Sequence, residues 1–443
     1  MMSDSQPTKT HLNTAARVKA SPYVRTQLIH RHSSGPTPWW RTAVVAEIPG
    51  VVDDTAAEML PKVMPLIADM GFQAVVFRPA LIDFYASVDP VKRIIDAAHD
   101  AGLRALVRLS GADRAPNDES YKPDPFFGFE KSTADTIVRA REVLKAGADG
   151  IDLGKIAESA KDPNAEKHAE EFTQLILLLM AELADFSQDH ILAASARTDL
   201  VENYRRHLEE EWIHHLRDDR LYRVPFDADA LTYVIAATIG ERDRVGSPPV
   251  WKAMLPRMVA TPSAENVHKN SWEDGADTAR RASMRILLAG LPGAVYLPFG
   301  FSGGHVEFED VAVRPSAPDS ESELARVRHT QLALKLREKH DLGNGSFAWV
   351  TALDWQPPKV GVFMSGGIMC VVNTSDKDVD VPLENRLLLR SDSTEDEAVP
   401  ASQDVLKTGP VQVFSASERA IQNCLTPGTT AWFEPPRVDA PDY

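Results

Sequence analysis

From residue 43 to residue 339 the chain repeats one theme: a short apolar, β-prone run, then a longer stretch whose apolar residues recur at helical spacing. Strands joined this way lie parallel, because each helical crossover returns the backbone to the edge where it began, and both faces of the sheet end up covered. The first run, Ala43 to Ile48, is closed by Pro49-Gly50. In the stretch from Thr55, the residues Met59, Val63, Leu66, Ile67 and Met70 share one face, and Gly71 stops the helix. The next strands fall at Gln73 to Phe77, Leu103 to Leu109, Gly147 to Lys155 and His190 to Ser195. Helices are expected at Pro90 to Ala101, at Thr133 to Lys145 behind the cap Ser132, at Glu166 to Phe186, and from Thr198 or Asp199 to Trp212. The acidic and aromatic stretch up to Pro249 shows no clear period. Pro256 to Thr261 and Ala294 to Leu297 read as strands, Thr278 to Leu291 and Ser320 to Lys339 as helices, the last with Ser320 and Glu323 in capping-box register. About eight such units close most readily as a (β/α)8 TIM barrel over residues 39–342.

After Gly343-Asn344-Gly345 the helical period disappears. Phe347 to Ala352, Gly361 to Phe363, Ile368 to Asn373, Val379 to Pro382, Arg386 to Leu389, Gly409 to Phe414 and Thr429 to Phe433 are short β-prone runs split by turns. They predict a C-terminal antiparallel β-sandwich domain over 343–443. At the other end, Lys9, Arg17, Lys19, Arg25 and Arg31 face only Asp4 among Ser, Thr, Pro and His. Residues 1–38 therefore read as a disordered basic tail.

A chain of 443 residues, 43% hydrophobic, can bury a large core without disulfides or metals. Its two cysteines, Cys370 and Cys424, have neither CxxC spacing nor a histidine cluster nearby, so they read as reduced and structural, and no metal or other cofactor is expected. A net charge of −16 with no concentrated basic face argues against nucleic acid. No apolar run approaches the ~20 residues needed to cross a bilayer, and the N-terminus has no signal-like apolar core, which gives a cytoplasmic expectation with no membrane partner.

Several stretches, in this order, resemble glycoside hydrolase family 13, the α-amylase superfamily, and most closely its α-glucosidase-like branch. Trp39-Trp40-Arg41-Thr-Ala-Val-Val45 resembles the family's opening strand, and Met64 to Pro79 its first helix and second strand. Ala97 to Arg104, Ala289 to Tyr296 and Thr430 to Phe433 match further family segments, so the resemblance spans roughly residues 39 to 435. It implies α-glucoside chemistry with retention, which takes a nucleophilic carboxylate, a carboxylic acid and a further aspartate, each at the C-terminal end of a barrel strand.

Set against those motifs, the carboxylates are gone. In Gly147-Ala-Asp-Gly-Ile-Asp-Leu-Gly-Lys155 the nucleophile's place holds Gly154, and the place of the family's arginine holds Asp152. Ile191 to Ser195 leaves Ser195 at the acid's place. Val259 to Ala264 puts Pro262, Ser263 and Ala264 where the family has asparagine, histidine and aspartate. A fourth motif matches Val107 to Asp113, with Arg108 on the strand and without the family's aspartate and histidine. The family's inserted domain after the third strand is largely deleted, cut down to the loop between Gly111 and Lys131.

The sequence therefore predicts that Arg108 and Asp152, on neighbouring strands and pointing into the barrel, pair and plug the former site; the rival reading makes Asp152 a relocated nucleophile. Asp149 reads as a structural aspartate bonding backbone amides. His214, His215, His268 and His305 lack the spacing of a metal pair, and Gly300 to Gly304 matches no phosphate-binding pattern. The expected function is a pseudoenzyme, a structural or regulatory subunit bound to an active α-glucosidase-like paralogue as a hetero-oligomer. The alternatives are a glycosidase or transglycosylase with other catalytic residues and a sugar sensor holding an α-glucoside without turnover.

Overall fold

The first strand lies where the sequence predicts a disordered tail. Arg25–His30 (β1) pairs antiparallel with a strand of the C-terminal sheet, Arg25 opposite Thr351 and His30 opposite Phe347. The segment is illegible as a strand because it lies at a sheet edge with four of its six residues exposed, so no alternation marks it. Ile29 packs on the main core, and His30 Nδ1 meets Asp243 at 2.9 Å. The computed structural model describes residues 25–31, 35–48, 52, 54–79, 88–109, 133–156, 165–196, 198–210, 212–218, 220–254, 270–299, 321–392 and 423–436.

The barrel strands are Val44–Glu47 (β2), Ala74–Phe77 (β3), Arg104–Arg108 (β4), Gly150–Lys155 (β5), Ile191–Ser195 (β6), His215–Arg217 (β7), Val250–Trp251 (β8) and Ala294–Pro298 (β9). They form one parallel sheet in the order β7-β6-β5-β4-β3-β2-β9-β8, and β7 adjoins β8, so the eight strands close as a (β/α)8 barrel. The helices are Asp54–Asp69 (α1), Asp89–Asp100 (α2), Thr133–Lys145 (α3), Ala165–Phe186 (α4), Val201–Glu209 (α5), Arg220–Arg223 (α6), Ala228–Val245 (α7), Thr278–Ala289 (α8) and Glu321–Lys339 (α9). Helix α7 shows how local chemistry sets the bounds. Asp227 accepts the Asp229 and Ala230 amides at its start, and Gly246 ends it at φ 75°.

β7 and α7 fall in the stretch without a readable period, and β8 precedes the sixth expected strand. That expected strand, Pro256 to Thr261, lies outside the described residues, as do the shortened loop from Gly111 to Lys131 and the run Gly409 to Phe414.

Alternation along each strand divides the core in two. Val45, Val76, Leu106, Ile191, Val250 and Tyr296 point into the barrel, while Val44, Ala46, Val75 and Phe77 face the helices. The lumen is tight. A Cβ on Gly150 would stand 2.5 Å from the Ile191 carbonyl oxygen and 2.9 Å from Leu106 Cδ2, so glycine is needed there for neighbouring strands to fit. Trp39 and Trp40 close the foot of this interior.

Phe347–Thr351 (β10), Val360–Ser365 (β11), Ile368–Asn373 (β12), Val379–Asp380 (β13), Arg386–Arg390 (β14), Cys424–Leu425 (β15) and Thr430–Glu434 (β16) build the C-terminal domain. A six-stranded antiparallel sheet, β1-β10-β11-β12-β16-β14, is faced by the β13-β15 ladder, with Val362, Val371, Leu425 and Phe433 between them. The sheet's other face, with Phe347, Trp349, Phe363 and Trp432, joins the barrel's helical core. Arg337 on α9 fastens this side: it donates to the carbonyls of Ala289 and Leu291 at the end of α8, and to that of Gly293.

Candidate functional site

The lumen changes character at its top. Two residues beyond the last apolar layer, alternation brings Glu47 (β2), Arg108 (β4), Asp152 (β5), Ser195 (β6), Arg217 (β7) and Lys252, just past β8, to the C-terminal mouth. In a barrel of this type that end carries the chemistry. Every one of these six side chains meets another of the set.

Asp152 is the hub. Its Oδ2 accepts Arg108 Nε at 2.9 Å and Arg217 Nη1 at 3.0 Å, and its Oδ1 accepts Arg217 Nη2 at 2.5 Å and the Gly154 amide at 2.8 Å. The expected pairing of Arg108 with Asp152 is thus present, and a second guanidinium doubles it. Arg108 Nη2 goes on to Glu47 Oε1 at 2.8 Å, where Lys252 Nζ also binds. Arg217 Nε donates to Ser195 Oγ at 2.8 Å, so Ser195 is tied to the same cation that grips Asp152. The chain of contacts runs Lys252, Glu47, Arg108, Asp152, Arg217, Ser195 across the mouth.

It also reaches down the lumen. The Arg217 guanidinium lies 4.6 Å from the centre of the Tyr296 ring; the tyrosine oxygen is 2.8 Å from His215 Nδ1, and His215 Nε2 is 2.6 Å from the Trp40 carbonyl oxygen. A carbonyl only accepts, so Nε2 carries the proton, and Nδ1 accepts from the tyrosine hydroxyl. Trp40 of the family-like Trp-Trp-Arg motif therefore anchors a polar column from the foot of the barrel to its mouth.

Burial governs the protonation states. It lowers His215 to about 3 and His214 to about 4, so both are neutral near pH 7. For Glu47 burial raises the pKa, but the charges of Lys252, Arg108 and Arg217 outweigh it and hold the carboxyl at about 2. Asp152 is pushed up by burial and further down by Arg108 and Arg217, and ends well below the usual carboxylate range. Lys252 comes down to about 8, through burial and two nearby guanidiniums that the Glu47 charge only partly offsets.

Gly154 is set by the backbone. Its φ is +68°, left-handed, and β5 pairs irregularly with β6 between Asp152 and Lys155. Asp149 lies at the opposite end of β5 and accepts the Ala105 amide at 2.8 Å, Arg104 Nη1 at 2.7 Å and His99 Nε2 at 2.8 Å, the expected structural role. Asp113, Pro262, Ser263 and Ala264 lie outside the described residues. No group of three or more His, Cys, Asp or Glu able to hold a metal occurs among the described residues, and no described helix is long and apolar enough to cross a membrane.

Sequence reasoning missed Glu47, Arg217 and Lys252. Glu47 sits inside the first expected strand, where a charge at an inward position was the available signal. Arg217 lies on a strand of three residues, too short to display alternation. Lys252 follows a strand of two.

No protein-family model and no curated protein matches the chain. Solved structures do. An Anoxybacillus α-amylase superposes with a TM-score of 0.56 at 14% identity, over 90% of this chain and 99% of that one. The α-amylase of Geobacillus thermoleovorans, determined with acarbose, gives 0.54 at 12% identity, over 89% and 98%. The α-amylase from H. orenii gives 0.53 at 13% identity, over 89% and 99%. The chain has the α-amylase fold, a (β/α)8 barrel followed by a C-terminal β domain. At such identities the fold is what is shared, and function has to be argued from the site.

Proposed function

We propose that this chain is a non-hydrolytic member of the α-amylase superfamily, kept as a structural or regulatory subunit of an active α-glucosidase-like protein. The observation that carries the reading is the double grip of Arg108 and Arg217 on Asp152, beside a glycine at the nucleophile's place. Retaining cleavage needs one carboxylate free to attack and one carboxylic acid to protonate the leaving oxygen, about 5–5.5 Å apart. Among the described residues at the mouth the carboxylates are Asp152 and Glu47. Both are held ionised and paired with cations, so neither has a proton to give near neutral pH. Ser195, at the acid's place, is no acid.

Two assays test this. The purified chain should release no nitrophenol from 4-nitrophenyl α-glucoside and no glucose from maltooligosaccharides; turnover by the lone chain sinks the proposal. Gly154→Asp should not restore it, because a side chain at φ +68° costs about 1–2 kcal/mol and the cations already hold Asp152. For the subunit role, co-expression with an active α-glucosidase-like protein from the same cell should give a co-eluting complex with altered kcat/KM. Separate elution at micromolar concentrations would remove that part of the reading.

A further inference from the structure

Among the described residues the mouth network does not balance: Arg108, Arg217 and Lys252 bring three positive charges against the two negative charges of Glu47 and Asp152, which leaves one positive charge in a largely buried cluster. An uncompensated charge away from water is costly, and an anion relieves it. The surplus lies on one side. Both carboxylate oxygens of Asp152 are bonded and Arg217 is 1% exposed, whereas Arg108 and Lys252 keep 16% and 14% of their side chains accessible.

A second imbalance sits beside the first. Glu47 is 2% exposed, and its Oε1 takes both Arg108 and Lys252. Its Oε2 is buried and receives no hydrogen bond among the described residues. A buried carboxylate oxygen without a donor favours whatever supplies one. A fully ionised anion such as sulfate offers acceptors only and would meet Oε2 with repulsion. A neutral polyol would satisfy Oε2 but leave the surplus charge.

We propose that the barrel mouth binds a small hydroxylated anion, a polyol bearing a carboxylate or phosphate, whose anionic group lies against Arg108 and Lys252 while one hydroxyl donates to Glu47 Oε2. This goes beyond the non-hydrolytic reading and does not depend on it. Burial and the two guanidiniums depress Lys252, and an anion beside it would favour its charged form.

Titration calorimetry on the full chain near pH 7 uses four probes: D-gluconate, glucose 6-phosphate, glucose and sulfate. Gluconate and glucose 6-phosphate should each bind at least about tenfold tighter than glucose and than sulfate, the scale of one charge-assisted hydrogen bond. The stronger of the two identifies the anionic group. Lys252→Met should lose most of this gain, and Lys252→Arg, which keeps the charge, should retain part of it. Glu47→Gln should narrow the margin over sulfate. Binding of glucose as tight as gluconate, binding of sulfate as tight as glucose 6-phosphate, or no binding by any probe would each overturn the proposal. The wild-type series decides the matter even if a variant fails to fold. Nitrophenol release, read separately, keeps failure here distinct from failure of the non-hydrolytic reading.

Discussion

Strand β5 carries an aspartate at each end, and the barrel gives them opposite surroundings. At the foot, Asp149 takes a backbone amide, Arg104 and His99, and those two side chains are 47% and 39% exposed. At the mouth, Asp152 is fully buried, and its cations Arg217 and Arg108 are 1% and 16% exposed. The contact chemistry is nearly the same. What differs is water: a pair whose cation is solvated can exchange protein for water at little cost, while a pair cut off from water cannot release one partner without stranding the other. The foot is a clasp and the mouth is a lock.

The largest break is therefore at the mouth. Asp152→Ala strands Arg108 and Arg217 and should cost about 3–5 kcal/mol by urea denaturation. A loss under about 1 kcal/mol would mean that water already reaches the network. Acid should undo the polar column next. His215 and His214 titrate near 3 and 4 in the fold but near 6.5 when unfolded, so the unfolded chain binds more protons between those values. Stability should be complete above about pH 6.5 and fall by several kcal/mol as pH drops through that window; a flat profile from pH 6.5 to 4 would contradict the burial of these rings. Lys252 works at the other end of the scale. With a folded pKa of about 8 against 10.5, it should let stability rise with pH from about 8 to 10.5, by about 1–3 kcal/mol after allowance for its partial exposure. Lys252→Met should flatten that slope, which urea midpoints at several pH values would show.

The two networks were unequally legible in the sequence, for a physical reason. Arg108 and Asp152 could be read because each lies on a strand long enough to fix which residues point inward, and because their charges stand exchanged against the family pattern. Arg217 and Lys252 sit on or just after strands of three and two residues, where one period of alternation is barely completed. The barrel was legible because its repeats are many and similar. Strand β1 was not, since an edge strand is held by backbone hydrogen bonds to β10 that leave little trace in side-chain pattern. Composition alone marked it as tail. Gly154 is legible as a glycine where the resembled motif has its nucleophile, but its left-handed φ goes with the irregular pairing of β5 and β6 between Asp152 and Lys155, which no spacing reveals.

The finest test of clasp against lock is Arg104→Ala. Arg104 binds Asp149 at 2.7 Å and also stands 5.7 Å from the centre of the Trp39 ring, so the substitution removes an ion pair and a cation–π contact together. Asp149 would keep the Ala105 amide and His99, and water would take the vacated oxygen. An exposed pair of this kind is worth about 0–1 kcal/mol and an exposed cation–π contact about 0.5–1, so the total loss should be about 1 kcal/mol. The loss should shrink further in about 1 M salt, where the screening length is about 3 Å. Arg217→Met at the mouth should cost several times more and show little response to salt, because solvent ions do not reach a side chain that is 1% exposed. If urea midpoints at low and high salt move equally for both variants, solvent access does not separate the two ends, and the lock at the mouth is only a second clasp.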